Sequence, residues 1–106
     1  MILPDPIRRY FDADTRDDAA ALAGAFATDA VVHDEHATHR GAQAIRDWWQ
    51  AAKSAYGATA EPLELSDRGD RSVVRARVSG DFPGSPAVLS FSFTLADDRI
   101  TGLEIS

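Results

Sequence analysis

From Val88 to Leu95 the chain alternates without a break. Leu89, Phe91, Phe93 and Leu95 point one way, and Ser90, Ser92 and Thr94 the other. Side chains of a strand alternate between faces, so this stretch is a strand with one apolar and one polar side. Ser72 to Ser79 reads the same way, with Val74, Ala76 and Val78 on one face and Val73, Arg75 and Arg77 on the other. Ala60 to Leu65 and Arg99 to Ile105 are further strands. Pro62 marks the former as an edge strand or the site of a bulge. Asp67-Arg68-Gly69-Asp70 and Asp97-Asp98 are turns between them, so Arg68-Gly69-Asp70 is turn chemistry and not an adhesion motif. An apolar sheet face must be covered, and the only cover available lies in the first half of the chain.

That half reads as three amphipathic helices and one strand. Ile7, Tyr10 and Phe11 fall at helical spacing over residues 5–14, behind prolines that suit a first turn. Thr15-Arg16-Asp17-Asp18 resembles a capping box that starts a second helix, whose buried face is Ala19, Leu22, Ala23 and Phe26. Ala30 to Asp34 is a strand with Ala30, Val32 and Asp34 on one face, and Glu35 to His39 a short hairpin arm. Gly41 opens the longest helix, over 42–56, with Gly57 to end it and a stripe of Ile45, Trp48, Trp49, Ala52 and Tyr56. Adjacent on a helix, Trp48 and Trp49 point about 100° apart. The fold class is α+β, in one domain over residues 1–106.

Composition narrows the function. A net charge of −6, from 17 acidic and 11 basic residues, disfavours nucleic acid and anionic membrane surfaces as partners. Cysteine is absent, which excludes disulfides, thiolate metal sites and thiol nucleophiles. The start, Met-Ile-Leu-Pro-Asp-Pro, lacks the pattern of a secretory signal, so a cytoplasmic protein is expected. His33, His36 and His39 recur every third residue, a spacing that alternates faces on strand and hairpin. They read as surface imidazoles, with His39 beside the long helix a second-rank pocket residue. No metal and no cofactor is expected.

The chemistry rests on Asp34 and Tyr10. A carboxylate and a phenol aimed into one apolar cavity form a minimal acid–base pair. Asp34 on the inner face of its strand is either a proton-transfer group or a strand-end carboxylate, solvated or paired with Arg40 or Arg46. Tyr10 is either a hydrogen-bond donor to a ligand oxygen or a core residue. No second buried acid is expected. Tyr10, Phe11, Phe26, Trp48, Trp49, Tyr56, Phe91 and Phe93 converge where helices meet sheet, and either fill that space or leave a lipophilic pocket.

Tyr10, Asp18, Leu22 and Phe26, the run Asp29 to Asp34, Arg40 to Ile45, Gly80 to Gly84 and Asp98-Arg99-Ile100 together resemble the nuclear transport factor 2-like superfamily. The nearer likeness is to its bacterial SnoaL-like and ketosteroid-isomerase-like members, across nearly the whole chain. The resemblance implies a cone: a strongly curved mixed sheet wrapped around a long helix, with two further helices closing one end. It implies a pocket for a small apolar or carbonyl-bearing molecule, and a homodimer through the outer sheet face that carries Ser90, Ser92, Thr94, Arg75 and Arg77. In ketosteroid isomerases a Tyr on the first helix donates to the substrate oxyanion, and an Asp ending the first strand is the base. Tyr10 and Asp34 match those positions without a gap. The position of the second oxyanion donor is Phe91, a loss that typically costs roughly 100- to 1000-fold in rate. The expectation is an isomerase or cyclase with Asp34 as base, Tyr10 as donor, and Phe26, Val32, His39, Trp48, Trp49, Tyr56, Phe91 and Phe93 as the ligand wall. The alternative is a non-catalytic ligand-binding or dimerisation domain.

Overall fold

The computed structural model describes residues 1–106. Helix α1 spans Asp5–Arg16 and buries Ile7, Tyr10, Phe11 and Asp14 along one stripe. It ends where Asp17 takes the left-handed conformation, which a short polar side chain tolerates. Asp18 then caps the short helix α2, Ala19–Gly24, by accepting from the Ala21 backbone N–H at 3.0 Å. The expected capping box therefore fails at its first residue, because Thr15 lies inside α1.

Phe26 was assigned by its spacing to the second helix. Instead it opens strand β1, Phe26–Asp34, and pairs with Ile100. Its neighbour Ala25 accepts the Ile100 amide at 2.9 Å, so pairing with the last strand overrides the helical spacing. The register between β1 and that strand shifts between Phe26 and Val31, and beyond the shift Ala30 and Val32 are fully buried. A two-residue turn at Glu35 and His36, both at positive φ, returns the chain as β2, Ala37–Arg40.

Helix α3, Ala42–Tyr56, ends at Gly57 in the left-handed conformation, as expected of a glycine there. Ile45 and Trp49 are buried, and Trp48 is half-buried. Tyr56 departs from the predicted apolar stripe: it is 42% exposed and meets Phe82 edge-on. The backbone crosses closely here, since Asp81 N–H donates to the Tyr56 carbonyl at 2.7 Å. A Cβ on Gly80 would lie 2.8 Å from that carbonyl oxygen, so only glycine fits without a shift.

The remaining strands are β3, Thr59–Asp67, β4, Ser72–Ser79, β5, Ala87–Ala96, and β6, Arg99–Ile105. The six-stranded sheet has the order β2-β1-β6-β5-β4-β3, with only β1 and β6 parallel. Pro62 lies on edge strand β3 at a register shift against β4, as its missing N–H demands. The sheet is curved and unclosed, and the three helices cover its apolar face in the manner of the cone fold. Val74, Ala76, Phe91, Phe93, Ile100 and Leu103 meet the helices there and form most of the sheet's share of the core. No helix is long and apolar enough to cross a membrane.

Candidate functional site

Tyr10 is 3% exposed and belongs to the packed core. Its ring meets Phe11, Phe26, Phe91 and Phe93 edge-on, with centroids 5.1, 5.9, 6.2 and 5.6 Å away. Such edge-to-face pairs set a partly positive ring edge against a negative ring face. Burial first, then the negative charges of Asp14 and Asp34, push the phenol well above its ordinary pKa. The phenol therefore keeps its proton throughout the neutral range. Both carboxylates act on it through space.

Asp34 ends β1 on the inner face and is half-buried. The Trp48 indole Nε1–H donates to its Oδ2 at 3.1 Å. None of the protein's six ion pairs includes Asp34, so neither Arg40 nor Arg46 neutralises it. A concavity of about 640 Å³, open to solvent, runs beside it, lined by His33, Asp34, His36, Thr38, Leu89 and Ile105 among others. Tyr10 does not line this groove.

The other predicted wall residues fall into three places. Phe26, Val32, Trp49, Phe91 and Phe93 are buried in the core. His39 and Trp48 lie together beside Asp34, their rings tilted by 33° at 6.0 Å. Tyr56 stands apart against Phe82. His33 and His36 are exposed, with His33 Nδ1 3.0 Å from Thr38 Oγ1. No group of three or more His, Asp or Glu side chains is placed to hold a metal ion.

One prediction is overturned. A second buried acid exists, Asp14, only 6% exposed. Its Oδ1 accepts from the Trp49 indole at 2.8 Å, and its Oδ2 from the Ala60 backbone N–H at 2.8 Å. Lys53 Nζ lies 3.2 Å from Oδ1, 5.5 Å from the Trp49 ring centroid, and donates to the Ala58 carbonyl. A charge taken out of water needs this many partners. The signal was in the sequence: Asp14 stands seven residues after Ile7 and four after Tyr10, on the same helical stripe.

A profile of the SnoaL-like domain matches residues 7–103. The chain belongs to the SnoaL-like family. It lies within the nuclear transport factor 2-like superfamily. A crystal structure from Sinorhizobium meliloti, provisionally named a polyketide cyclase, is 56% identical; the match covers 98% of this chain and 95% of that one, with a TM-score of 0.95. A Sphaerobacter thermophilus protein at 27% identity matches with a TM-score of 0.81, over 96% of this chain and 92% of its own. A Catenulispora acidiphila protein with a ketosteroid isomerase-like fold, solved with trimethylamine, shares the fold at 20% identity. Its TM-score is 0.86, with coverage of 99% and 86%. No curated protein matches the chain. The SnoaL-like fold hosts several chemistries, so the reaction has to be argued from the side chains.

Proposed function

We propose that this SnoaL-like protein is a cofactor-independent proton-transfer enzyme of the isomerase or cyclase type. Asp34 removes a proton beside a substrate carbonyl, and Tyr10 donates a hydrogen bond to the enolate oxygen that develops. The enolate then either takes the proton back at a different carbon, which moves the double bond, or attacks a second carbonyl through the carbon that lost the proton, in an aldol-type ring closure whose alkoxide takes up that proton. The observation that carries the reading is Asp34 itself: a half-buried carboxylate on the wall of the groove, with no ion pair to hold it. A carboxylate that no ion pair holds is free to accept a proton. The raised phenol pKa supports Tyr10 as a group that is protonated, and so able to donate, near neutral pH. The provisional polyketide cyclase name of the 56% identical relative supports the same class of substrate.

A second reading is favoured by one observation. The rings around Tyr10 are closely packed, and the groove reaches Asp34 without reaching the phenol. On that reading the domain holds a ligand or a second copy of itself and performs no chemistry. Either way, the polar outer face of β4 and β5, with Arg75, Arg77, Ser90, Ser92 and Thr94, is the proposed dimer surface.

The two readings separate on turnover of β,γ-unsaturated ketones and linear poly-β-carbonyl esters. Asp34→Asn is expected to abolish turnover with the circular dichroism spectrum unchanged. Tyr10→Phe is expected to lower it roughly 100- to 1000-fold, the usual cost of a lost oxyanion donor. Turnover that survives Asp34→Asn removes the mechanism. A Tyr10→Phe protein as fast as the parent returns Tyr10 to the core.

A further inference from the structure

Helix α3 presents two adjacent indoles, and each reaches a different carboxylate. Trp49 donates to Asp14, whose second oxygen is taken by the Ala60 amide and whose charge is met by Lys53. That carboxylate is closed. Trp48 donates to Oδ2 of Asp34 and nothing comparable occupies Oδ1. Nor is Oδ1 a sealed, partnerless atom, because the only such side-chain atom in the protein is Arg9 Nε. Oδ1 therefore remains open beside the groove that Asp34 lines.

We infer that Trp48 is the positioning residue of Asp34, holding Oδ2 so that Oδ1 is the oxygen presented to a substrate. The inference rests on Asp34 being the base proposed above. A carboxylate at a strand end turns about two side-chain bonds, and in water it samples several rotamers. One indole N–H on one oxygen removes most of that freedom and leaves the other oxygen free to take the proton. The indole is itself supported. The His39 ring lies beside it from β2, tilted by 33° with centroids 6.0 Å apart, and His39 lies opposite Val32 in the register, on the inner face that Asp34 shares. The order of support runs from His39 to Trp48 to Asp34, across β2, α3 and β1. His39 and Trp48, expected as ligand wall, are on this inference the support of the base.

Nitrobenzisoxazole tests this without the natural substrate. A base takes the ring C–H proton, that electron pair completes a nitrile, the N–O bond breaks, and its electron pair stays on the oxygen as a coloured phenolate on the same ring. The wild-type protein is expected to open the ring faster than acetate at equal concentration, and Asp34→Asn to fall to background. Trp48→Phe keeps an aromatic side chain at this position and removes the N–H together with the pyrrole half of the indole. It is expected to lower kcat roughly 10- to 100-fold, as small misplacements of a catalytic group do, with KM within about twofold. A Trp48→Phe protein with wild-type kcat overturns the positioning role and leaves Asp34 as base. A raised KM at unchanged kcat makes Trp48 a ligand contact and also overturns it. Activity that persists in Asp34→Asn, or a wild-type protein no faster than acetate, overturns the base itself. A proton NMR spectrum of Asp34→Ala checks the bond independently of turnover. The Trp48 indole N–H is expected to move upfield toward the free-indole position while that of Trp49 stays in place. An unmoved Trp48 resonance overturns the inference.

Discussion

The two tyrosines occupy opposite environments: Tyr10 is buried among phenylalanines and Tyr56 is 42% exposed. Burial and the charges of Asp14 and Asp34 raise the Tyr10 pKa, so the folded state holds that proton more tightly than the unfolded chain. The contribution to stability is fully present below the unfolded phenol value near ~10. Above it the unfolded chain releases the proton first, and stability falls by up to about 1.4 kcal/mol per pH unit until the folded value is passed. Urea unfolding between neutral and strongly alkaline pH is expected to show this loss, and Tyr10→Phe to remove it. An alkaline slope identical in the two proteins would show that the ring is less sealed than described. Residue identity was legible for Asp34, whose inward face follows from the period of two in β1. It was missed for Asp14, because an acid among apolar neighbours reads as a solvated interruption until the three donors that hold it are known. Those donors come from α3 and β3, remote in sequence.

Between elements, Asp14 is where α1, α3 and the start of β3 meet. Removing its carboxylate strands Lys53, whose side chain is only 14% exposed, together with an indole N–H and a backbone N–H. Breaking one side of a buried ion pair costs about 3–5 kcal/mol. Asp14→Ala is expected to lose that much in urea unfolding, and a loss below about 1 kcal/mol would mean that water reaches the pair. The strands were largely readable, because alternation reports burial directly and the turn residues are local. The helix boundaries were less so. Phe26 follows Leu22 at helical spacing, yet it is a strand residue, since its position is decided by Ile100, more than half the chain away. Tyr56 continues the stripe of α3 past the point where the helix leaves the sheet, and only the neighbouring Phe82 shows that it has done so.

For the molecule as a whole, the helices cover one face of the sheet. The other face carries polar residues and a shallow concavity formed by Arg71, Ser92, Thr94 and Glu104 with their neighbours. If copies associate there, as proposed, sedimentation is expected to give twice the monomer mass, and Ser92→Arg to return it to the monomer with an unchanged fold. A wild-type protein that sediments as a monomer removes the proposed interface. The general architecture was the most legible feature, since a one-sided apolar sheet and three amphipathic helices have few ways to satisfy each other. Whether the space between them is open was not legible, because it turns on the separate packing of each aromatic ring.

Strand β6 lies between β1 and β5, so Arg99–Ile105 joins a sheet begun some seventy residues earlier. Without those seven residues the sheet separates into a hairpin, β2 with β1, and a three-stranded piece, β5 with β4 and β3. During synthesis, then, the two parts emerge in sequence but cannot be stitched together until the closing strand leaves the ribosome. Until β6 pairs with both, β1 and β5 each carry a bare strand edge.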